Sequence, residues 1–363
     1  MTVEVLREAA GLVERGERVG LATIVGTRGS TPQKAGARLL AGAGHRLAGT
    51  LGGGAVEAEV AREADAAAAG AAPTLREYVL STGVDDWGLA CGGTMVVFVE
   101  PLDRSALTWI GPAIEATAGG EPVAVVTVLD GPASGARLLV RGGGVTGSVS
   151  DPALTSAAGE LGRRALAREA PELAGTPGSQ LHAEPFGPPP ALVIVGAGHV
   201  GKALAGLARF LGVAVTVLDD RPEYASRERF PEAAHVVAAP VAETLGWLPV
   251  GSGTAIVVAM RNQDLDYEAT AAALRTPARY VGLIGARRKA VLITERLVAA
   301  GFPIERVREL RAPIGLDVGA RSPEEIAVSI VAEWIMIRQG GTGSALRLDE
   351  ELFEKAAGRR ASA

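Results

Sequence analysis

The run Ala191-Leu-Val-Ile-Val-Gly196-Ala-Gly198-His199-Val-Gly201-Lys202 decides the fold of the second half of this chain. Its first five residues are apolar and end in glycine, the signature of a short buried strand. Each glycine that follows has its own use. Gly196 makes the turn, Gly198 lets backbone approach a pyrophosphate, and Gly201 allows close contact of helix and strand. A helix opening here offers phosphate its free N–H groups and its positive dipole end. The next apolar run, Ala214–Leu218, is followed by Asp219, where a carboxylate can accept bonds from a ribose diol. Arg221 beside it leaves NAD and NADP both open. Gly196, Gly198, His199, Gly201 and Asp219 are therefore candidate cofactor-binding residues. His199 has no partner visible in sequence, so a solvent-facing loop histidine is preferred to a proton-transfer group.

The same alternation continues outward. Leu192–Val195, Ala214–Leu218, Ala234–Val237, Ala255–Ala259 and Tyr280–Ile284 read as strands, with helical patterns at His199–Leu211, Asp264–Arg275 and Arg287–Ala300. Apolar strands separated by helices predict a doubly wound parallel sheet, a Rossmann-like α/β domain. After the fifth strand, Gly285-Ala-Arg287-Arg288-Lys289 places two arginines where strand ends line a crevice, as a clamp for phosphate or carboxylate or as a solvated basic turn. Ser322-Pro-Glu-Glu325 is a capping box that opens a last helix. That helix is apolar over most of its circumference, with a polar arc at Glu325, Ser329 and Glu333. This predicts burial on several sides, against the sheet or in a homodimer.

Pro185-Phe-Gly-Pro-Pro-Pro190 marks the seam. Residues 1–184 are expected to form a mixed α/β module, 185–190 a proline-rich linker, 191–340 the Rossmann-like domain and 341–363 a frayed tail. No internal repeat is visible. The 363 residues carry 36 basic and 41 acidic side chains, a net charge of −5, with 48% hydrophobic residues. That composition supplies two cores and argues against nucleic acid as the main partner. A single cysteine excludes an intramolecular disulfide and fits a reducing compartment. With no secretory leader and no long apolar stretch, no membrane insertion is expected and the location expected is cytoplasmic.

The first half holds three polar, glycine-marked stretches. Gly26-Thr-Arg28-Gly-Ser-Thr-Pro32-Gln-Lys34-Ala-Gly36-Ala-Arg38 is a basic loop, and Gly49-Thr-Leu-Gly52-Gly53-Gly54-Ala55-Val-Glu57 runs a triple glycine into a helix. Successive N–H groups in such a loop can cradle an anion. Glu57 reads as an ordinary first-turn acid complementing the helix dipole. In Gly88-Leu-Ala-Cys91-Gly92-Gly93-Thr94 the thiol lies beside two glycines, open to a ligand or simply a small buried hydrophobe. The spacing fits neither a cysteine–histidine zinc site nor a hydrolase elbow.

Taken in order, GTRGSTPQKAGARLL (26–40), GTLGGGAVE (49–57), WGLACGGTMVVFVEPL (87–102), VIVGAGHVGKALA (193–205), VLDDRPEY (217–224), YVGLIGARRK (280–289) and RAPIGLDVGARSPEEIAVSIVAEW (311–334) resemble the XdhC/CoxI family over almost the whole chain. The resemblance implies an accessory factor that binds molybdenum cofactor (molybdopterin) and delivers it to an apo molybdenum hydroxylase of xanthine dehydrogenase or carbon monoxide dehydrogenase type. Implied partners are a cysteine desulfurase and the hydroxylase large subunit. The family's triple-glycine loop typically ends in cysteine, where this chain has Ala55. Cys91 is then the single carrier thiol and the residue expected to meet molybdenum through the cofactor. Gly52, Gly53, Gly54, Arg28, Lys34 and Arg38 supply residue types that suit a phosphorylated pterin. The second domain is expected to hold NAD(P), another nucleotide, the pterin, or nothing. A rival reading is an NAD(P)-dependent oxidoreductase whose small anionic substrate is held by Arg287, Arg288 and Asp317; a third is a pure interaction scaffold.

Overall fold

Among the residues that the computed structural model describes, 2–80, 92–147, 149–347 and 353–354, the chain divides between Pro189 and Pro190 into two units. Much of the tail expected to fray lies outside these residues.

The first unit runs α1 (Thr2–Glu14), β1 (Val19–Arg28), β2 (Arg38–Gly42), β3 (His45–Gly49), α2 (Gly54–Ala68), β4 (Thr74–Val79) and β5 (Thr94–Leu102). It continues through α3 (Leu107–Thr117), β6 (Val123–Val128), β7 (Arg137–Arg141), β8 (Gly144–Thr146), α4 (Pro152–Arg168), β9 (Glu172–Thr176) and β10 (Ser179–Phe186). The described strands pair into two antiparallel sheets, ordered β3-β2-β1-β5-β4 and β8-β7-β6-β10-β9. The second half thus repeats the first element for element, α-β-β-β-α-β-β with the same strand order. No repeat was visible in sequence because the duplication is one of topology: Phe98 of β5 stands where β10 has His182, and Leu21 of β1 where β6 has Val125.

Each sheet is covered on one face by its own helix. Ala22, Ile24, Val97 and Val99 meet α2, and Val126, Val128 and Leu181 meet α4. The opposite faces enclose a polar core. Arg38 at the start of β2 is paired with Glu184 of β10, and Arg137 at the start of β7 with Glu100 of β5. The two pairs cross between the halves and occupy equivalent positions. Between them, with Thr23, Thr127 and His182, lies a cavity of about 20 Å³, room for one water. The Nε atoms of Arg38 and Arg137 and Nε2 of His182 have no protein partner there. Arg38, expected in a ligand-binding loop, is buried with both arms of its guanidinium on Glu184, and the residue also borders a groove beside α1.

The proline-rich spacer begins later than expected, since Pro185 and Phe186 belong to β10. Gln180 accepts from Leu129 on the β6 side, so alternate residues 182, 184 and 186 face β6 and Pro185 faces β9. Pairing with β9 stops at Ala183, so the missing N–H of Pro185 is not needed.

The second unit runs β11 (Ala191–Val195), α5 (His199–Phe210), β12 (Ala214–Asp219), β13 (His235–Ala238), α6 (Val241–Trp247), β14 (Thr254–Val258), α7 (Gln263–Leu274), β15 (Tyr280–Leu283), α8 (Arg287–Ala299), α9 (Ile304–Arg308) and α10 (Pro323–Gln339). All pairings are parallel, in the order β13-β12-β11-β14-β15. One face packs on α6, α7 and α8, the other on α5 and α10. This is the expected doubly wound sheet, and its switch point lies between β11 and β14. The capping box at Ser322 and Glu325 is formed. Of the polar arc of α10, Glu325 stays exposed in the capping box, whereas Ser329 and Glu333 turn inward. Ser329 donates to the Leu316 carbonyl, and Glu333 accepts from Tyr280 (2.8 Å) and the Gly315 N–H (3.0 Å). Much of the apolar circumference that suggested a second subunit is covered by this unit's own core. No helix among the described residues is long and apolar enough to cross a membrane.

Two outcomes follow from the crossed pairs. Arg38→Ala strands the Glu184 carboxylate in the core and should destabilise the first unit by about 3–5 kcal/mol in urea unfolding, whereas Arg38→Met with Glu184→Leu should recover most of that loss. Burial, aided by the Arg38 and Arg137 guanidinium groups and opposed by Glu184, pulls His182 from 6.5 down to about 4. Between those values the unfolded chain binds a proton that the folded chain refuses. Stability from this residue is therefore full above pH 6.5 and lost as pH falls toward 4. His182→Phe, which copies the residue at the duplicate position, should flatten that part of the acid limb in thermal unfolding at stepped pH.

Candidate functional site

The glycine-marked stretches of the first unit meet at one end of the β3-β2-β1-β5-β4 sheet. A Cβ on Gly93 would lie 2.1 Å from the Ser30 carbonyl oxygen, and one on Gly52 would lie 2.5 Å from Cβ of Pro32. Only glycine allows these approaches. Arg28 pairs in register with Thr94, three residues beyond Cys91, and Leu80 donates to the Gly93 carbonyl at 2.7 Å. The Arg28 guanidinium is exposed and bonded to Glu77 of β4. Cys91, and with it residues 88–90 of the third motif, lies outside the described residues.

The triple glycine has the backbone of an anion cradle, with φ of 112°, 82° and 76° at Gly52, Gly53 and Gly54. The chain fills that cradle itself. Glu57 Oε2 accepts from the N–H groups of Leu51 (2.8 Å) and Gly53 (3.0 Å) and from the Thr50 hydroxyl, and Oε1 accepts from Arg46 (2.9 Å). Partial burial alone would raise this carboxyl's pKa, but these bonds outweigh it and hold it below its ordinary value. Glu57 is thus more than a first-turn acid. Its signal was spacing: a carboxylate one turn into the helix reaches back to the loop that precedes it. Ala55, at the family's cysteine position, is exposed in the first turn of α2.

Beside these loops is a groove of about 690 Å³ between α1, the 32–38 segment and the end of β3. Glu4, Glu8, Gln33, Lys34, Arg38 and Thr50 are its polar lining residues. Its volume suits a small organic ligand. Lys34 is exposed and, among the described residues, has no ion-pair partner.

In the second unit the three glycines separate by function. A Cβ on Gly196 (φ 114°) would lie 2.2 Å from the Ala259 carbonyl oxygen, and one on Gly201 would lie 2.3 Å from that of Gly196. Protein geometry explains both. Gly198 has an ordinary φ of −73° and open space where a Cβ would stand. Its small size serves nothing in the protein, so it leaves room at the N-terminus of α5 for a phosphate. His199 is exposed there. Arg287 and Arg288 are exposed at the start of α8 with no bond to other described residues, as is Asp317 in a later loop. Lys289 turns inward to Asp266 (2.6 Å), ties α8 to α7, and needs Gly285 beneath it.

Asp219 differs from its expected role. It is fully buried and accepts four hydrogen bonds. Oδ1 takes the Arg221 N–H (3.0 Å) and Nε (2.9 Å); Oδ2 takes the Ala197 N–H (2.8 Å) and Arg221 Nη2 (3.0 Å). The Tyr224 ring has the Arg221 guanidinium 3.7 Å and the Arg229 guanidinium 5.0 Å from its centre, and Arg229 donates to the Ala197 carbonyl. Asp220, next in the chain, is paired with Arg261. Tyr224, Arg229 and Arg261 were not singled out from sequence, where arginines in loops carry no mark of what they bind.

Comparison with known proteins agrees with this architecture. Residues 192–334 match the XdhC Rossmann domain, and residues 12–79 match the XdhC and CoxI family. The chain is 30% identical over 331 residues to a probable xanthine dehydrogenase subunit from Bacillus subtilis (strain 168), covering 90% of this chain and 96% of that one. It is 27% identical over 346 residues to the uncharacterized protein YqeB of Escherichia coli (strain K12), covering 94% of this chain but 47% of YqeB. A crystal structure described as a xanthine dehydrogenase from Bacillus halodurans has the same fold, with a TM-score of 0.66 at 24% identity over 95% of this chain and 98% of that one.

The glycine geometry makes a direct prediction. Gly196→Ala and Gly201→Ala should each lower the unfolding temperature of the second unit, by strain at φ 114° and by backbone overlap respectively. Gly198→Val should leave that temperature almost unchanged in differential scanning calorimetry while reducing binding of a phosphorylated ligand.

Proposed function

Because the chain belongs to the XdhC and CoxI family, we propose that it is an accessory factor that binds molybdenum cofactor and delivers it to an apo molybdenum hydroxylase. The name of the Bacillus subtilis relative favours a hydroxylase of xanthine dehydrogenase type. The observation that carries the reading is the meeting of Gly52, Pro32, Ser30 and Gly93 beside a ligand-sized groove. Stretches far apart in sequence close on one another there, and they are the stretches by which the family resemblance was drawn.

The residues fit such a cargo in part. When bound, the cofactor supplies a phosphate, a hydrogen-bonding pterin and a dithiolene that holds the metal. Gln33, Lys34 and Thr50 of the groove offer donors and acceptors to a pterin. The second unit, taken by itself, has space above Gly198 for the phosphate of a separate phosphorylated ligand, with Arg287 and Arg288 exposed on that unit. The Gly52–Gly54 cradle does not suit one while Glu57 occupies it. Cys91 is the proposed carrier thiol, since Ala55 removes the family's other cysteine. A cysteine desulfurase and the hydroxylase large subunit are the proposed partners; a homodimer is proposed on the part of the last helix left exposed, at Val328 and Ile337.

The test uses wild type and Cys91→Ser isolated from the same molybdopterin-producing cells. Molybdenum and pterin per chain, and activation of an apo-hydroxylase, should both fall several-fold in the variant. Retention by wild type should weaken as pH is lowered and the thiolate takes up a proton. Equal loading of the two proteins removes Cys91 from the proposal. Absence of pterin from wild type, with no activation, overturns the carrier role.

A further inference from the structure

We infer that Arg221 is a specificity-determining stopper: it occupies the carboxylate with which this sheet would read a ribose diol, and so excludes adenine dinucleotides from the second unit. A carboxylate has about four lone-pair sites for hydrogen bonds. Asp219 uses all four on Arg221 and Ala197, at 2.8 to 3.0 Å, and is fully buried. A diol has nothing left to donate to. Displacing the guanidinium means breaking a planar two-armed pair with a fully buried carboxylate, although the guanidinium itself is partly exposed. The Arg221 guanidinium carbon also lies 3.7 Å from the centre of the Tyr224 ring, a second contact that holds it. Release therefore also requires loss of that contact.

A second closure acts with the first. Asp220 follows β12 and Arg261 follows β14, the two strands that flank β11. Their ion pair, at 2.5 and 2.8 Å, joins the loops on either side of the Gly196 turn. An extended dinucleotide lies across that line, from the acid after the second strand past the glycine turn. Both ends of its path are held by the protein's own charges. A ligand that presents only a phosphate to Gly198 meets neither obstacle.

This inference concerns what the second unit rejects, and it stands apart from the carrier role, which pterin loading tests. The experiment is calorimetric titration of the full chain with NAD, NADP and ADP-ribose. Wild type should show no binding tighter than about millimolar for any of the three. Arg221→Ala, checked for folding by circular dichroism, should bind ADP-ribose and NAD at least tenfold more tightly than wild type. Asp219→Asn added to Arg221→Ala should abolish that gain, which a merely structural ion pair would not produce. Arg221→Lys keeps a cation but loses the fork, so it should gain in the same direction by less, and it replaces the alanine variant if that one fails to fold. Micromolar binding of any of the three by wild type overturns the inference, as does a folded Arg221 variant with no gain.

Discussion

Two buried charge pairs set the terms for the first unit. Arg38 and Glu100 belong to the first half and Glu184 and Arg137 to the second, and each finds its counter-ion only across the interface. An unpaired ion in such a place costs several kcal/mol, so the sheets are held to the one register in which both pairs close. The stacking of Arg137 on Trp109 at 4.2 Å fixes one guanidinium from a third direction. Neither half satisfies its own charges. The two should therefore fold as one cooperative body in spite of their separate sheets and separate covering helices.

The halves match in topology and differ in their connections. The segment between β4 and β5 spans residues 80–93 and contains Cys91, whereas the equivalent turn between β9 and β10 is residues 177–178. The triple glycine likewise has no counterpart before α4, which starts with an Asp151 cap and Pro152. Polar, ligand-suited loops were elaborated on one copy. The other supplies the facing sheet and the counter-charges that keep the first one rigid.

Legibility followed burial. The strands β11, β14 and β15 of the second unit are buried almost throughout, so each appears as an apolar run, and the helices His199–Phe210 and Pro323–Gln339 carry a clear period or a cap. In the first unit β2 begins with Arg38, β3 with His45-Arg46 and β4 includes Arg76-Glu77, and those short charged strands were not recognised. The candidate site was half legible. Glycine spacing located the turns, because tight turns and close approaches demand glycine whatever they bind. What fills the resulting space depends on long-range partners. Glu57 sits in one cradle and Arg221 on the acid beside another, and a free carboxylate looks no different in sequence from a saturated one.

Ala55, exposed at the start of α2, leaves the chain with one sulfhydryl, which bears on its response to oxidants. A family member with cysteine at both positions has a second thiol in the same chain with which a sulfenic acid could condense, its resolving partner. Here Cys91 has no such recourse within the chain. Once oxidised it must be rescued by an outside thiol, or else pass to the sulfinic state, from which return is closed. In the carrier role proposed for it, this single thiol would depend on a reductant outside the chain for its repair.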